Sequence, residues 1–125
     1  MKELTRAEEQ VMQILWKEGK AFIKELLPHF DDPKPAYNTV STIVRILEKK
    51  GFVGHEEFGK SHRYYPLIPK EEYRDEVFTD MLKGYFNNSM KQVISHFSAA
   101  DKLDMREADE MIKMLEELKN KSGQQ

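Results

Sequence analysis

The chain has 125 residues, of which 39% are hydrophobic and 34% are charged, and its formal net charge is −2. This composition suits one compact domain, alone or with an appendage, and the lack of cysteine excludes disulfides and thiolate metal sites. The N-terminus has no apolar run, and no segment approaches the roughly 18 apolar residues that span a bilayer, so we expect no signal peptide, no membrane insertion and a cytoplasmic location.

The first two predicted helices are short and amphipathic. Thr5 and Glu8 have the spacing of a capping box, and the apolar residues that follow predict a helix over residues 5–18 that ends before Gly19. A second helix begins near Phe22 and is ended by Pro28. A polar loop with two prolines follows it, as expected for a connection between helices.

A third helix and a hairpin complete the first part of the chain. Residues 36–50 contain neither Gly nor Pro and predict helix three, which is ended by Gly51. Residues 52–58 and 61–67 predict two strands, and Gly59 stands at the first central position of a type II′ turn between them. Three helices followed by a hairpin are typical of a winged helix-turn-helix, in which the hairpin is the wing.

The remainder of the chain predicts three more helices with apolar stripes. The fold class is therefore mainly α with a small β-hairpin: a winged helix-turn-helix over residues 1–69, followed by a helical dimerisation region over residues 70–125. Packing within one chain stays open as an alternative. The residues predicted to form the dimer are all apolar and recur at helical spacing. They are Phe78, Met81, Leu82, Tyr85, Phe86, Met111, Ile112, Leu115 and Leu118.

Helix three has two different faces. At about 100° per residue, Val40, Val44 and Leu47 fall together and predict a buried face. The opposite side offers hydrogen-bonding groups and two cations without a carboxylate, from Asn38, Thr39, Ser41, Thr42, Arg45 and Lys49. Asn pairs with the edge of adenine, Arg with guanine, and the Thr methyl with the thymine methyl, so this side is suited to the major groove of DNA.

The predicted DNA contacts form two groups. Residues near the start of the recognition helix contact bases, and these are Asn38, Thr39, Ser41 and Thr42. Cations and a tyrosine around them and near the wing tip contact phosphates, and these are Lys34, Tyr37, Arg45, Lys49, Lys60 and Arg63. Charge alone does not decide the matter, because residues 1–69 hold eleven Lys/Arg against ten Asp/Glu. An ordinary solvated surface remains the alternative.

Other functions find less support in the residues. The four histidines are His29, His55, His62 and His96, and none forms the i, i+4 pair of a helical metal site, so we predict no metal, no cofactor and no catalytic residues. His55 and His62 can face each other across the hairpin. A winged helix that binds a protein instead of DNA is the main alternative, although such surfaces favour apolar anchors. Binding of a small ligand by the tail stays open.

Two segments of the chain resemble the penicillinase repressor family (the BlaI/MecI type). The first runs from Leu4 to Trp16, and the second, Ala36 to Gly51, resembles the family's recognition helix. The resemblance implies a repressor that binds inverted-repeat operator DNA as a homodimer, with the C-terminal helices making the dimer. It also implies release by a membrane metalloprotease sensor, which cuts resistance members at an Asn-Phe bond. The corresponding residues here are His96 and Phe97, with His in place of Asn.

Overall fold

The computed structural model describes residues 3–123. The elements in the first part are α1 (Arg6–Glu18), β1 (Ala21–Phe22), α2 (Ile23–Leu26) with a 3-10 turn (Leu27–His29), α3 (Tyr37–Lys49), β2 (Val53–Phe58) and β3 (Ser61–Pro66). The later helices are α4 (Lys70–Tyr85), α5 (Met90–Ala99) and α6 (Met105–Gly123). This order confirms the predicted winged helix-turn-helix followed by helices.

The start of α1 is fixed by the predicted capping box. The Glu8 amide donates to the Thr5 hydroxyl at 3.2 Å, and the Thr5 amide donates to the Glu8 carboxylate at 2.8 Å. The same carboxylate oxygen accepts a hydrogen bond from Lys50 Nζ at 2.7 Å. Glu8 is buried, so this ion pair joins the start of α1 to the end of α3 in a place where water screens it little.

We expect the Glu8→Gln variant to lose about 1–3 kcal/mol of unfolding free energy at neutral pH, because its charge-assisted hydrogen bonds weaken. Burial raises the pKa of Glu8, but the bonds from Lys50 and Thr5 outweigh it and hold the pKa below its usual value. A lowered folded-state pKa means that the ionised carboxylate stabilises the fold above the ordinary Glu pKa. That stabilisation disappears as the pH falls through the lowered pKa.

Urea unfolding of both proteins from neutral to acid pH measures this effect. The difference between wild type and Glu8→Gln should shrink as the pH falls. Glu9→Gln, at the exposed neighbouring position, is the matched control and should follow the wild type throughout. A constant difference across the pH range would mean that the ionisation of Glu8 does not stabilise the fold.

The sheet contains a third strand that the sequence did not predict. Ala21 and Phe22 form β1, which pairs antiparallel with β3 through Tyr64 and Arg63, so the strand order is β1-β3-β2. The second helix begins at Ile23, near Phe22 as predicted, but Phe22 itself lies in the strand, and its amide donates to Glu25 in the first turn of α2. A strand of two residues has no periodicity of its own, and its pairing partner lies about forty residues away in the chain.

The wing is a two-residue hairpin, as predicted. Phe58 and Ser61 are paired across the turn, and Gly59 has a φ of +61°. A positive φ at the first central position is what a type II′ turn requires, and glycine adopts it without steric cost. The pairing register places Val53 and Tyr64 on one face of the hairpin, and both are buried against the helices.

The hydrophobic core lies among α1, α2, α3 and the sheet. Its fully buried side chains include Val40, Val44 and Leu47, which confirms the predicted inner face of α3. Phe52 is also buried, directly after the turn that ends α3, and its ring meets that of Tyr73 edge-on at a centroid distance of 5.7 Å. Tyr73 brings the first turns of α4 into the same core, and its hydroxyl accepts from the Leu4 amide at 3.1 Å.

The chain divides into two compact units, with the boundary between Phe78 and Thr79 inside α4. In the second unit, Ser89 caps α5 by accepting from the Gln92 amide, and Asp104 accepts from the Arg106 amide at the start of α6. None of the residues of α6 is buried. Across residues 3–123, no helix is both long and apolar enough to cross a membrane.

Candidate nucleic-acid interface

The outer side of α3 carries five exposed polar or cationic side chains, which we call the recognition face: Asn38, Thr39, Thr42, Arg45 and Lys49. The helix backbone places four of these residues within about 60° of arc, because their spacings are four, three and four. The carboxylate in α3 belongs to Glu48, which hydrogen-bonds to Nδ1 of His55 on the wing. The recognition face is therefore polar, positively charged and free of acidic side chains.

Ser41 does not belong to this exposed face, although we predicted that it does. Ser41 is covered by neighbouring residues and is only 9% exposed. The helix repeat alone puts Ser41 about 60° from Asn38, at the margin between the two faces. In the structure, α2 packs against α3, and Ser41 lies between α3 and the groove that α2 and the wing also line.

The start of α3 has free backbone donors. Ala36 occupies the N-cap position, and its methyl group cannot accept a hydrogen bond from the amides of the first turn. The first turn also lacks acidic residues. Unpaired amides and the positive end of the helix dipole both favour an anion such as a DNA phosphate, so this end of α3 can bind the backbone of a duplex.

A groove runs between α2, α3 and the wing. Its walls include four residues that we predicted as DNA contacts, namely Tyr37, Ser41, Arg45 and Lys60. Lys24 and His62 also line it, and the sequence analysis did not identify either one as a contact. The position of Lys24 in the first turn of the second helix indicates that Lys24 lies near α3. The position of His62 in the groove could be predicted only once the register of the hairpin was known.

Two predicted phosphate contacts have other partners in the structure. Lys34 Nζ donates to the carbonyl oxygen of Phe30 at 2.7 Å. Arg63 stands directly opposite Glu56, on the face of the hairpin that does not carry His62 and Tyr64. A phosphate would therefore have to compete with these neighbours for Lys34 and Arg63, whereas Lys49 and Lys60 are exposed.

The acidic residues of the wing are partly neutralised. Glu56 forms an ion pair with Lys20, and this contact holds the pKa of Glu56 below its usual value despite some desolvation. Arg63 adds a further favourable charge. Glu56 therefore opposes an anionic ligand less than an unpaired carboxylate would.

A further cluster on the wing has the composition of a metal site. His55, Glu57 and His62 each offer one ligand atom, and these atoms all lie within 4.8 Å of one another. The sequence predicted that His55 and His62 can face each other across the hairpin, but two surface histidines alone did not indicate a metal site. The register of the hairpin, which the Gly59 turn made predictable, brings these three residues together.

The residues predicted for the dimer and for cleavage lie in the later helices. Tyr85, Ile112, Leu115 and Leu118 are more than half exposed, whereas Leu82, Phe86 and Met111 are half-buried, and Phe78 and Met81 fall between these groups. His96 and Phe97 lie inside α5, where the His96 ring contacts the rings of Phe86 and Phe97. The 96–97 peptide bond is thus part of a regular helix.

The fold is that of a winged helix-turn-helix protein. It combines three packed helices with a three-stranded sheet whose hairpin is the wing, and the outer face of α3 is polar and exposed. The chain belongs to the penicillinase repressor family, which it matches over residues 4–117. This match confirms the family predicted from the residues and the prediction of a DNA-binding repressor.

Several relatives are similar over nearly their whole length. The penicillinase repressor of Bacillus licheniformis is 26% identical over 120 residues, covering 95% of this chain and 94% of the relative. The methicillin resistance regulatory protein MecI of Staphylococcus aureus (strain N315) is 22% identical over 114 residues, covering 90% and 93%. Among solved structures, the DNA-binding domain of the repressor BlaI is 27% identical with a TM-score of 0.49, covering 58% of this chain and 94% of that one.

Proposed function

We propose that this chain represses transcription in the cytoplasm as a homodimer that binds inverted-repeat operator DNA through α3 and the wing. The observation that carries the proposal is the recognition face: exposed amide, hydroxyl and cationic groups on one side of a helix whose other side is core. Ordinary solvated helices mix Glu with Lys on such a face. The absence of carboxylates from this one is what a negatively charged ligand requires.

Within this proposal, the residues of the recognition face have different tasks. Asn38, Thr39 and Thr42 lie in the first half of α3 and contact base edges in the major groove. The Thr42 hydroxyl already donates to the Asn38 carbonyl at 2.9 Å, which leaves its methyl group and an oxygen lone pair for a base. Ser41 is too buried to join them, and we omit it from the proposed contacts.

The proposed phosphate contacts surround these bases. Arg45 and Lys49 lie further along α3, Tyr37 lies at its start, and Lys60 lies at the tip of the wing. Lys34 and Arg63 contribute only by exchanging their present partners. These contacts fix the register of the protein on the duplex and supply affinity that falls as salt rises.

A homodimer accounts for the apolar surface of the last helix. Ile112, Leu115 and Leu118 lie on one side of α6 and are each more than half exposed. Apolar side chains that recur on one face of a helix are costly to leave in water, and a second copy of the chain can bury them. Two copies related by a two-fold axis also match the symmetry of an inverted repeat, which doubles the number of base contacts.

We include release by proteolysis in the proposal only because the resemblance to the penicillinase repressor family implies it. A protease that cuts between His96 and Phe97 must first unwind part of α5, because an extended backbone is needed in a protease cleft. The exposure of both residues makes such local opening feasible. We infer that the chain has no catalytic residues of its own, because the polar clusters among its described residues fit binding.

The Arg45→Ala variant tests the DNA proposal. Loss of one phosphate contact per protomer is expected to lower affinity roughly ten-fold and to reduce the slope of log K against log salt by about 0.9 per protomer. Fluorescence anisotropy with a duplex from the chain's own upstream region, repeated over a series of salt concentrations, measures both quantities.

Arg74→Ala is the matched control for this experiment. Arg74 is also an exposed arginine, but it lies on α4 beside Asp75 and outside the recognition face. Its variant should keep the affinity and salt slope of the wild type. If Arg45→Ala also keeps both, Arg45 does not contact DNA, and if the wild type prefers no upstream sequence over random DNA, the repressor proposal is wrong.

A further inference from the structure

The side chains of His55, Glu57 and His62 lie on one face of the wing. Glu57 is directly opposite His62 across the two strands, and His55 is opposite Tyr64, two residues further along. Because side chains alternate between the faces of a strand, all of them point to the same side of the hairpin. The two imidazole rings lie parallel, with their centroids 4.2 Å apart.

The hydrogen bond at His55 leaves one of its ring nitrogens free to bind a metal. Nδ1 of His55 is bonded to the carboxylate of Glu48 on α3. An ionised carboxylate can only accept, so Nδ1 carries the proton, and the lone pair of the neutral ring is on Nε2. Nε2 lies 3.8 Å from Glu57 Oε1, on the side of the cluster. A carboxylate that orients a histidine in this way is the usual second partner of a metal-bound imidazole.

The donor set selects a class of ion. Two imidazole nitrogens and one carboxylate oxygen suit first-row transition ions, and among these Zn²⁺ binds three such ligands and a water in open sites. Mg²⁺ and Ca²⁺ prefer oxygen ligands throughout, and ions that need thiolates find none because the chain has no cysteine. The two histidines are partly buried, but the Glu57 side chain is 72% exposed, so water can reach the fourth position.

The ligand atoms of the cluster have to come closer together to bind a metal ion. Ligand atoms around a tetrahedral Zn²⁺ are about 3.3 Å apart, since each lies about 2.0–2.2 Å from the ion. The present atoms lie within 4.8 Å of one another. We expect rotation of the Glu57 and His62 side chains to close this gap, since Glu57 is exposed and His62 is only partly buried.

We propose that His55, Glu57 and His62 bind one Zn²⁺ ion on the wing, and that Glu48 is the positioning residue for His55. The ion joins β2 to β3 near the hairpin turn, and the hydrogen bond from His55 connects that site to α3. The proposal concerns metal binding alone and does not depend on whether α3 binds DNA.

Isothermal titration of the full chain without an affinity tag, using zinc chloride at neutral pH, tests the proposal. We expect one ion per chain, and we expect His62→Gln and Glu57→Gln each to weaken binding at least ten-fold. Glu48→Gln should weaken it about ten-fold or more while keeping the stoichiometry, as expected for a residue that acts through the ligand. Magnesium chloride should give no binding.

Nitrogen chemical shifts of the histidine rings provide a readout that a merely structural role would not change. On zinc addition, the His55 Nε2 signal should move to a metal-bound position while Nδ1 keeps its proton. In Glu48→Gln, the fraction of His55 with a protonated Nδ1 before zinc addition should fall. An unchanged Nδ1 population in that variant would remove Glu48 from its positioning role.

His29→Gln is the matched control. His29 also has a carboxylate neighbour, Glu18 at 3.3 Å, but no second histidine near it, so this variant should bind zinc as the wild type does. Thermal melting without metal verifies that each variant is folded, and Glu57→Gln changes an exposed side chain that the fold does not need. The proposal is overturned if the wild type binds no zinc, if Glu57→Gln and His62→Gln keep full affinity, or if His29→Gln loses as much.

Discussion

Replacing Leu115 with Asp is expected to convert the proposed homodimer into monomers and to lower operator affinity at least a hundred-fold. Leu115 is 62% exposed in a single chain and lies on the apolar side of α6. In a two-fold interface the substitution occurs twice, and each new carboxylate must be buried without a partner. Such burial costs several kcal/mol, and every 1.4 kcal/mol corresponds to a factor of ten in the dissociation constant.

Sedimentation equilibrium measures the oligomeric state, and anisotropy with the upstream duplex measures the affinity. Lys113→Asp is the matched control, because Lys113 lies about 160° around α6 from Leu115 and this substitution introduces the same carboxylate. It should leave the dimer intact. A Leu115→Asp protein that sediments as a dimer would show that the copies associate through another surface. Circular dichroism establishes that α6 remains helical in both variants.

The Phe52→Ala variant is expected to lose about 3–5 kcal/mol of unfolding free energy. Phe52 is 1% exposed, and its ring lies between the end of α3 and the Tyr73 ring of α4. Truncation removes its buried apolar area and leaves a cavity that the surrounding helices cannot fill. Since domains are stable by about 5–15 kcal/mol, the loss is a large part of the total.

Urea unfolding followed by circular dichroism measures this loss, with Phe58→Ala as the matched control. Phe58 lies at the end of β2, next to the wing turn, and is 50% exposed, so its truncation should cost about 1 kcal/mol or less. Equal losses in the two variants would mean that Phe52 is not a central part of the core. Unfolding of the Phe52 variant should also abolish DNA binding, whereas the folded Arg45→Ala protein loses only a contact.

These two substitutions separate the roles of two apolar surfaces. Phe52 is covered within one chain, whereas Leu115 remains exposed in one chain. Phe52→Ala should therefore reduce stability at every protein concentration. Leu115→Asp should alter mainly the concentration dependence of stability and DNA binding, since association stabilises a folded chain by mass action.

Local sequence was sufficient to predict most of the helices and the wing. Thr5 and Glu8 predicted the start of α1 because a capping box depends only on residues three apart. Gly59 predicted the two-residue turn, and the inner face of α3 followed from the spacing of Val40, Val44 and Leu47. Each of these features depends on neighbours along the chain, so the periodicity of the residues contained the necessary information.

The candidate site was only partly predictable, because some of its features depend on residues that are not neighbours along the chain. Asn38, Thr39, Thr42, Arg45 and Lys49 are exposed together because they share one side of a single helix. Ser41, at the margin of that side, is covered by another element, and Lys34 and Arg63 meet partners that their own spacing does not reveal. The facing of His55 and His62 followed from the hairpin, whereas the contact of His55 with Glu48 depends on the packing of the wing against α3.

The amino-acid sequence by itself determined the order of the elements, the inner and outer faces of α3 and the family to which the chain belongs. Only the tertiary structure decided the pairing of β1 with β3, the burial of Ser41 and the approach of His55 to Glu48. The physical reason is the range of the interactions. Caps, turns and helical periodicity act over a few residues, whereas strand pairing and packing join residues far apart in the chain, where no local pattern records them.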